Sequence, residues 1–331
     1  MHRITTTLML LAAVLLAPLA TMAQEYDHEE IIEDRFDIGN GDLLTIDSDL
    51  GSIEIVGGNG DNVFLTVIKG VNNVSDREAD RLFDRFELDI RESSRGLEIL
   101  GDYDKPSGKI NWKRSLRVHF QLTVPSDTEI DVKTAGGSIS IEDIDAEVMA
   151  KTSGGSLTLE DIDGPLNAHT SGGSIKAFNI GDRTEVRTSG GSITIENADG
   201  YVSAKTSGGS IKVNGADGDV DANTSGGSIT LKEVYGSVNA QTSGGSVTAE
   251  VIGQPQEDMT LKTSGGTVTL YIEDDVRADI NASASGGSVS TEIPVSIIGQ
   301  KKRSKLEGEM NGGGPLFTLR SSGGSVRIKD L

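Results

Sequence analysis

The sequence predicts an all-β fold: a parallel β-solenoid of about 18 residues per coil, preceded by a small β-rich N-terminal region carrying one helix. Three observations predict it. Thr-Ser-Gly-Gly-Ser followed by an aliphatic residue starts at Thr152, Thr170, Thr188, Thr206, Thr224 and Thr242, with an Ala-for-Ser version at Thr134, so seven copies keep a strict 18-residue step. A fixed period near 20 residues marks a stack whose units bury their apolar faces only against one another. Within each unit apolar and polar residues alternate, and no stretch has helical period. Looser copies at Thr263, Ala284 and Ser321 extend the pattern to the end of the chain.

Residues 188–205, TSGGSITIENADGYVSAK, show how one coil is built. Ile193 and Ile195 alternate with Ser192, Thr194 and Glu196, the period-2 pattern of a half-buried strand. Val202 and Ala204 alternate with Tyr201, Ser203 and Lys205, a second short strand with Thr188 or Thr206 next on its inward side. One connecting turn, Asn197-Ala198-Asp199-Gly200, sets turn residues around a small apolar plug. The other is Ser-Gly-Gly. Its turn glycines are Gly154, Gly155, Gly172, Gly173, Gly190, Gly191, Gly208, Gly209, Gly226, Gly227, Gly244 and Gly245. At least one of Gly208 and Gly209 is expected at positive φ, which glycine adopts without a Cβ penalty. One inward column reads Ile139, Leu157, Ile175, Ile193, Ile211, Ile229 and Val247, and the facing one Ala150, Ala168, Val186, Ala204, Ala222 and Ala240. Large against small lets two close sheets interdigitate. At about 4.8 Å per coil, roughly ten coils make a rod on the order of 45–50 Å long.

Residues 1–23 are expected to be a secretory signal peptide: His2 and Arg3 lead, 8–19 are apolar, and Thr21-Met22-Ala23 precedes Gln24. The apolar run is shorter than the ~20 residues of a spanning helix, and no transmembrane anchor is expected in the mature chain. Residues 24–133 form the N-terminal region. An acidic lead-in gives way to extended segments at Arg35-Phe36-Asp37-Ile38 and Leu44-Thr45-Ile46-Asp47. Leu50-Gly51-Ser52-Ile53-Glu54-Ile55 resembles a degenerate first copy of the repeat strand, and 63–68 is a further buried strand. Ser75 and Glu78 read as a capping box, with Ala79, Leu82, Phe83 and Phe86 at helical spacing behind it, so a helix is expected over about 75–86. Strands at 86–90 and 97–100, a polar loop at 102–113, and an alternating strand from Leu116 to Pro125 complete the region.

The regular stack occupies 134–331. Extra residues around Pro255 and at 274–278 widen the step to 21 residues twice. The 37-residue step from Ala284 to Ser321 holds a loop excursion at about 292–315 before one last coil over 316–328.

Composition limits the function classes. The formal charge is −21, or −22 once the single positive charge of Arg3 leaves with the signal, which argues against nucleic acid or anionic lipid as partner. Such charge keeps a repetitive β surface soluble. The absence of cysteine excludes disulfides and a lipidated cysteine, and suits an exported bacterial protein whose long core needs no staples.

The strand running Val118 to Pro125, the repeated Thr-Ser-Gly-Gly-Ser-Ile, and the closing segment from Gly308-Glu309-Met310-Asn311-Gly312-Gly313-Gly314 to Ser321-Ser322-Gly323-Gly324-Ser325-Val326 resemble a bacterial family. Its members are exported, β-strand-repeat proteins with a domain of unknown function, provisionally named adhesins. The resemblance covers nearly all the mature chain and is strongest from about Leu116 onward. It implies an exported β-solenoid and supplies no catalytic residues; the coils here are more regular than that family's pattern.

Candidate sites are few. His28, His119 and His169 share no local motif, and His169 takes a place held by Lys or Arg in neighbouring coils (Lys151, Arg187, Lys205). The Gly-Gly turn lacks the following Lys and helix of a phosphate loop, so a structural corner is preferred. Asp143, Asp145, Asp161 and Asp163 stack on the second turn and are the candidate calcium ligands, although Gly181 and Tyr235 break the column and Asp is a common turn residue. Outward rows such as Ser192/Thr194 and Ser228/Thr230 form a hydroxyl grid of the kind that binds ice, interrupted by Lys176 and Lys212.

The expected function is therefore a non-enzymatic, exported, adhesin-like structural or binding protein of the bacterial envelope, periplasmic or at the cell surface. Its partner would be a cell-surface or extracellular-matrix component, with no cofactor. The alternatives are a polysaccharide-active β-helix enzyme, by analogy of architecture alone, and a calcium- or ice-binding repetitive surface.

Overall fold

The computed structural model describes residues 26–39, 41–104, 115–298 and 302–331. The expected signal peptide, Trp112 with most of the 102–113 loop, and Lys301 lie outside the described residues.

The chain opens with β1 (His28–Asp37), β2 (Leu43–Ser48), β3 (Ser52–Gly58), β4 (Asn62–Val71), α1 (Asp76–Phe83), β5 (Phe86–Ser93), β6 (Gly96–Tyr103) and β7 (Arg117–Pro125). Regular pairs follow: β8 (Glu129–Thr134) with β9 (Ile139–Ile144), β10 (Val148–Thr152) with β11 (Leu157–Ile162), and β12 (Leu166–Thr170) with β13 (Ile175–Ile180). The middle of the rod is β14 (Thr184–Thr188) with β15 (Ile193–Ala198), β16 (Val202–Lys205) with β17 (Ile211–Ala216), and β18 (Val220–Thr224) with β19 (Ile229–Val234). Next come β20 (Val238–Thr242) with β21 (Val247–Val251) and β22 (Met259–Thr263) with β23 (Val268–Ile272). The chain closes through β24 (Ala278–Ala284), β25 (Val289–Thr291), β26 (Ser296–Ile297), β27 (Lys305–Met310), β28 (Leu316–Ser321) and β29 (Val326–Asp330).

These strands form two facing sheets, one of 14 strands and one of 15. In the first the order is β1-β4-β7-β3-β9, then every odd strand to β23, then β29-β25. In the second it is β26-β27-β24-β28-β22, then every even strand down to β8, then β2-β6-β5. The long central runs are parallel and in register at the sequence period: Ile175, Ile193 and Ile211 are neighbours in one sheet, and Val186, Ala204 and Ala222 in the other. Both predicted inward columns are buried. Each Ile so removed from water contributes roughly 1.5–3 kcal/mol.

The N-terminal region shares these sheets. Leu44 and Ile46 on β2 and Ile53 and Ile55 on β3 continue the inward columns, and β2 pairs in parallel with β8 as β3 does with β9. The rung β6/β7 stacks on the other side of β2/β3. Antiparallel β5 covers β6, antiparallel β4 covers β7, and β1 covers β4. The open end of a parallel stack would be a template for pairing with another chain; here the outermost strands are instead antiparallel β1, rich in charged residues, and β5.

Two expectations are corrected near the ends. The helix stops at Phe83, because the Asp84 and Arg85 N–H groups close its last turn on Asp80 and Leu82, and Phe86 already pairs with Tyr103 as the start of β5. Ser75 occupies the N-cap position, but its side chain makes no capping bond; its carbonyl accepts from the N–H groups of Glu78 and Ala79, both at 2.9 Å. At the C-terminus, the last coil in sequence is not the last in space. The rung β28/β29 lies between β22/β23 and β24/β25, pairing in parallel with both. The 292–315 excursion is the cap that makes this possible: β27 runs antiparallel along β24, and β26 along β27. The rung left outermost is the atypical one, with Ala284 at the threonine position and only three residues in β25.

The two insertions fall on the same turn of successive coils and pack together. Gly253 N–H donates to Glu273 Oε2 at 3.0 Å, and Arg277 N–H to Gln254 Oε1 at 2.9 Å.

Candidate binding faces of the rod

Each residue of the Thr-Ser-Gly-Gly-Ser corner has a distinct structural part. The threonine points inward and is buried. Thr206 Oγ1 donates to the Gly191 carbonyl of the preceding coil at 2.8 Å and accepts from Gly209 N–H at 3.4 Å, so one hydroxyl serves two partly buried backbone groups. The same clamp recurs from Thr152 to Thr263, and Ser321 reproduces it on Gly266 at 2.6 Å. The closing serine forms a ladder: Ser210 N–H donates to Ser192 Oγ at 3.2 Å, and Ser228 N–H to Ser210 Oγ at the same distance.

The glycines act differently from expectation. Neither Gly208 nor Gly209, nor any other glycine of the repeated pairs, has positive φ. Glycine is required here by closeness. A Cβ on Gly209 would lie 2.1 Å from the Gly191 carbonyl oxygen, and one on Gly155 2.1 Å from that of Gly137. The corners of successive coils approach until only hydrogen fits between them.

Left-handed backbone occurs instead on the second turn, as a column at the repeat spacing. Asp143 (φ 60), Asp161 (φ 53), Asn179 (φ 53), Asn197 (φ 58), Gly215 (φ 79) and Glu233 (φ 52) all occupy it. Asp and Asn tolerate this region better than other side chains, which explains why carboxylates recur there.

The four candidate calcium ligands separate accordingly. Asp143 and Asp161 come together with Glu142, each offering a carboxylate oxygen within 4.8 Å of the others. Asp145 instead accepts from Ser126 Oγ at 2.5 Å, and Asp163 is exposed one rung on, outside that group. Partial burial, followed by the charges of Asp143, Glu160, Asp161 and Glu54, holds the Glu142 carboxyl above its ordinary value. The column then turns to amides: Asn179 Nδ2 donates to Asp161 Oδ1 at 2.7 Å, and Asn197 Nδ2 to Asn179 Oδ1 at 2.9 Å. Glu142 escaped notice because it reads as one more outward polar residue of β9. Its only signal is its place beside a left-handed Asp.

The group stands on the outside of a turn, while the buried columns and threonine clamps pass beneath it. Chelation with EDTA should therefore leave the thermal midpoint within about 2 °C; a fall of more than about 10 °C would mean several kcal/mol of metal-linked stability.

The histidines remain apart. His28 Nε2 lies 3.1 Å from the Val74 carbonyl oxygen, and His119 Nε2 2.9 Å from the Tyr26 hydroxyl. Burial, then the neighbouring Arg117, lowers the His119 pKa. His169 projects from the second sheet between Lys151 and Arg187. Its pKa is also lowered, by burial first and then by those two cations.

On the outer face of the first sheet, Thr194, Thr230 and Thr248 share a row with Lys176 and Lys212. Lys212 Nζ reaches Glu196 Oε1 at 3.3 Å, and the adjacent serine oxygens already accept from backbone, so the row is not an uninterrupted hydroxyl grid. The second sheet carries the basic row on its outer face.

The fold thus defines a capped two-sheet parallel β-solenoid whose repeated motif builds the rod. The chain belongs to the Toastrack DUF4097 family, whose model matches residues 42–329. This agrees with the resemblance read from the sequence. Among solved structures it is similar to a provisionally assigned adhesin from Parabacteroides distasonis ATCC 8503 (TM-score 0.42, 10% identity, 91% of this chain and 97% of that one). It is similar also to one from Bacteroides fragilis NCTC 9343 (TM-score 0.36, 11% identity, 91% and 97%). A provisionally assigned lipid-binding protein from P. distasonis ATCC 8503 is a further neighbour (TM-score 0.32, 12% identity, 91% and 96%). No curated protein matches the chain.

Proposed function

We propose that this protein is a non-catalytic, exported, adhesin-like binding protein of the bacterial envelope that uses the outer faces of the rod as its contact surface. The observation that carries this reading is the division of labour in the repeat. Thr, both Gly and the closing Ser are consumed in joining one coil to the next, so what varies between coils is the outward side chains of the two sheets. A stack of this kind is a one-dimensional scaffold that displays side chains at a fixed interval. The signal-like segment before Gln24 supports export.

Cell fractionation and a retention assay test the proposal. The mature protein should start at Gln24, appear in a periplasmic or extracellular fraction, and be retained on bacterial cells or matrix-coated plates above a heat-denatured control. It should release no new reducing ends from polysaccharides. Retention on none of these surfaces would overturn the binding role, and polysaccharide cleavage would restore the enzymatic alternative. No helix among the described residues is long and apolar enough to cross a membrane.

A further inference from the structure

We infer that the basic row on the outer face of the second sheet is a binding groove for a linear, carboxylate-bearing polysaccharide; the inference rests on the binding role proposed above and names its ligand class. The row is a consequence of register. Lys151, His169, Arg187 and Lys205 are paired neighbours on four successive rungs. Asn223 and Gln241 continue the row, and Lys262 and then Arg320 follow because β28 is threaded beside β22. In sequence Arg320 is far from Lys262; the insertion of the last coil brings it into line.

In a chain of net charge −21 these cations would be expected to be neutralised, yet most of them are not. Among the described residues Lys151, Arg187, Lys262 and Arg320 have no carboxylate within ion-pair distance, whereas Lys133 at the start of the row is held by Asp47 at 2.8 Å and Lys205 by Asp221 at 3.1 Å. Two of the nearby carboxylates already have partners. Glu185 is taken by Arg183, and Asp221 also accepts from the amides of Asn223 and Asn239. His169 sits between Lys151 and Arg187 in the row, its pKa lowered first by burial and then by those two charges. At the C-terminal part of the row, Lys205, Asn223, Gln241, Lys262 and Arg320 line an open depression of about 520 Å³, walled by the corner serines and threonines.

Spacing selects an extended polymer. Rungs repeat at about 4.8 Å, so a chain laid along the rod meets a cation or an amide at each step, and many weak contacts add through multivalency. A small anion would use one rung. The hydroxyls and amides beside the cations suit a sugar chain with several hydroxyls and one carboxylate per unit. Nucleic acid is disfavoured: the row has no Phe, Tyr or Trp on which successive bases stack.

The test uses the mature full-length protein and immobilised polygalacturonate, its fully methyl-esterified form, and oligo-dT. Polygalacturonate should bind at low ionic strength and weaken as salt is added, while the neutral ester should not be retained. The variant carrying Lys151→Ala, Arg187→Ala, Lys262→Ala and Arg320→Ala should bind at least about tenfold more weakly, as loss of multivalent contacts requires, with its melting curve unchanged. Lys176→Ala with Lys212→Ala, on the other sheet, should bind like the parent. The His169 imidazole titration should move upward when polygalacturonate is added. Equal binding of the ester, unchanged binding by the fourfold variant, preference for oligo-dT, or no binding would each overturn the inference. Surface retention is scored separately, so its persistence alongside any of these results removes the ligand class and leaves the binding role intact.

Discussion

Gly155→Ala is expected to destabilise the rod strongly, while Gly154→Ala, one residue earlier, is nearly silent. The difference is steric. A Cβ on Gly154 would find its nearest backbone oxygens at 3.8 Å, an ordinary contact, whereas one on Gly155 would sit 2.1 Å from the Gly137 oxygen and 2.4 Å from its carbonyl carbon. That oxygen cannot withdraw, since it accepts the Thr152 hydroxyl at 2.7 Å. Accommodation requires two coils to separate locally, which costs on the order of 3 kcal/mol and can exceed it. The Gly154 change should stay within about 0.5 kcal/mol. Urea or thermal melts of the two single variants decide the matter. Equal losses at both positions would refute closeness as the reason for glycine, and a large loss at Gly154 alone would point to another constraint on the corner.

The same pair shows how far the fold was legible in the sequence. That a corner recurs every 18 residues, and that Ile193 and Ala204 face inward, follows from period and alternation, which depend only on local geometry. Why the corner needs glycine does not follow, because the obstacle is an atom 18 residues away in the preceding coil. The left-handed column was hidden for the converse reason. Asp, Asn, Gly and Glu share little as letters, and only the backbone shows that Asp143, Asn179, Gly215 and Glu233 do the same thing. The candidate calcium ligands were half legible: the stacking of Asp143 on Asp161 was visible in the spacing, but the contribution of Glu142 and the diversion of Asp145 to Ser126 depend on side-chain direction. For the basic row, the substitution of His169 among Lys and Arg was readable, while its continuation to Arg320 was not. That last step requires knowing that the chain does not stack in the order in which it is written.

The order of stacking has its own large consequence. Truncation after Pro315 should collapse the C-terminal part of the rod, whereas in a stack laid down in sequence order it would merely shorten the rod by one coil. Residues 316–331 contribute Phe317, Leu319, Val326 and Ile328, all buried. At roughly 1.5–3 kcal/mol each, their loss is on the order of 6–12 kcal/mol, comparable with the whole stability of a typical domain. The loss also falls at an internal site. Without β28/β29, the β22/β23 rung loses its outer neighbour and β24/β25 loses its inner one, so Leu261 and Leu270 on one side and Ile280 on the other are uncovered together. The cap strand β27 reaches the rod only through β24, and β24 reaches it through β28. Nothing from Ala278 to Met310 can then remain docked by strand pairing. Limited proteolysis of the truncated protein should cut throughout 278–310 and stop near the rung of Thr263, with the thermal midpoint lowered by more than about 10 °C. Because nearest-neighbour contacts carry a solenoid, the coils from 134 to 242 should keep their protection. If 278–310 instead resists protease and the midpoint stays within about 3 °C, the cap docks without the inserted coil, and the threaded order of the C-terminal rungs is wrong.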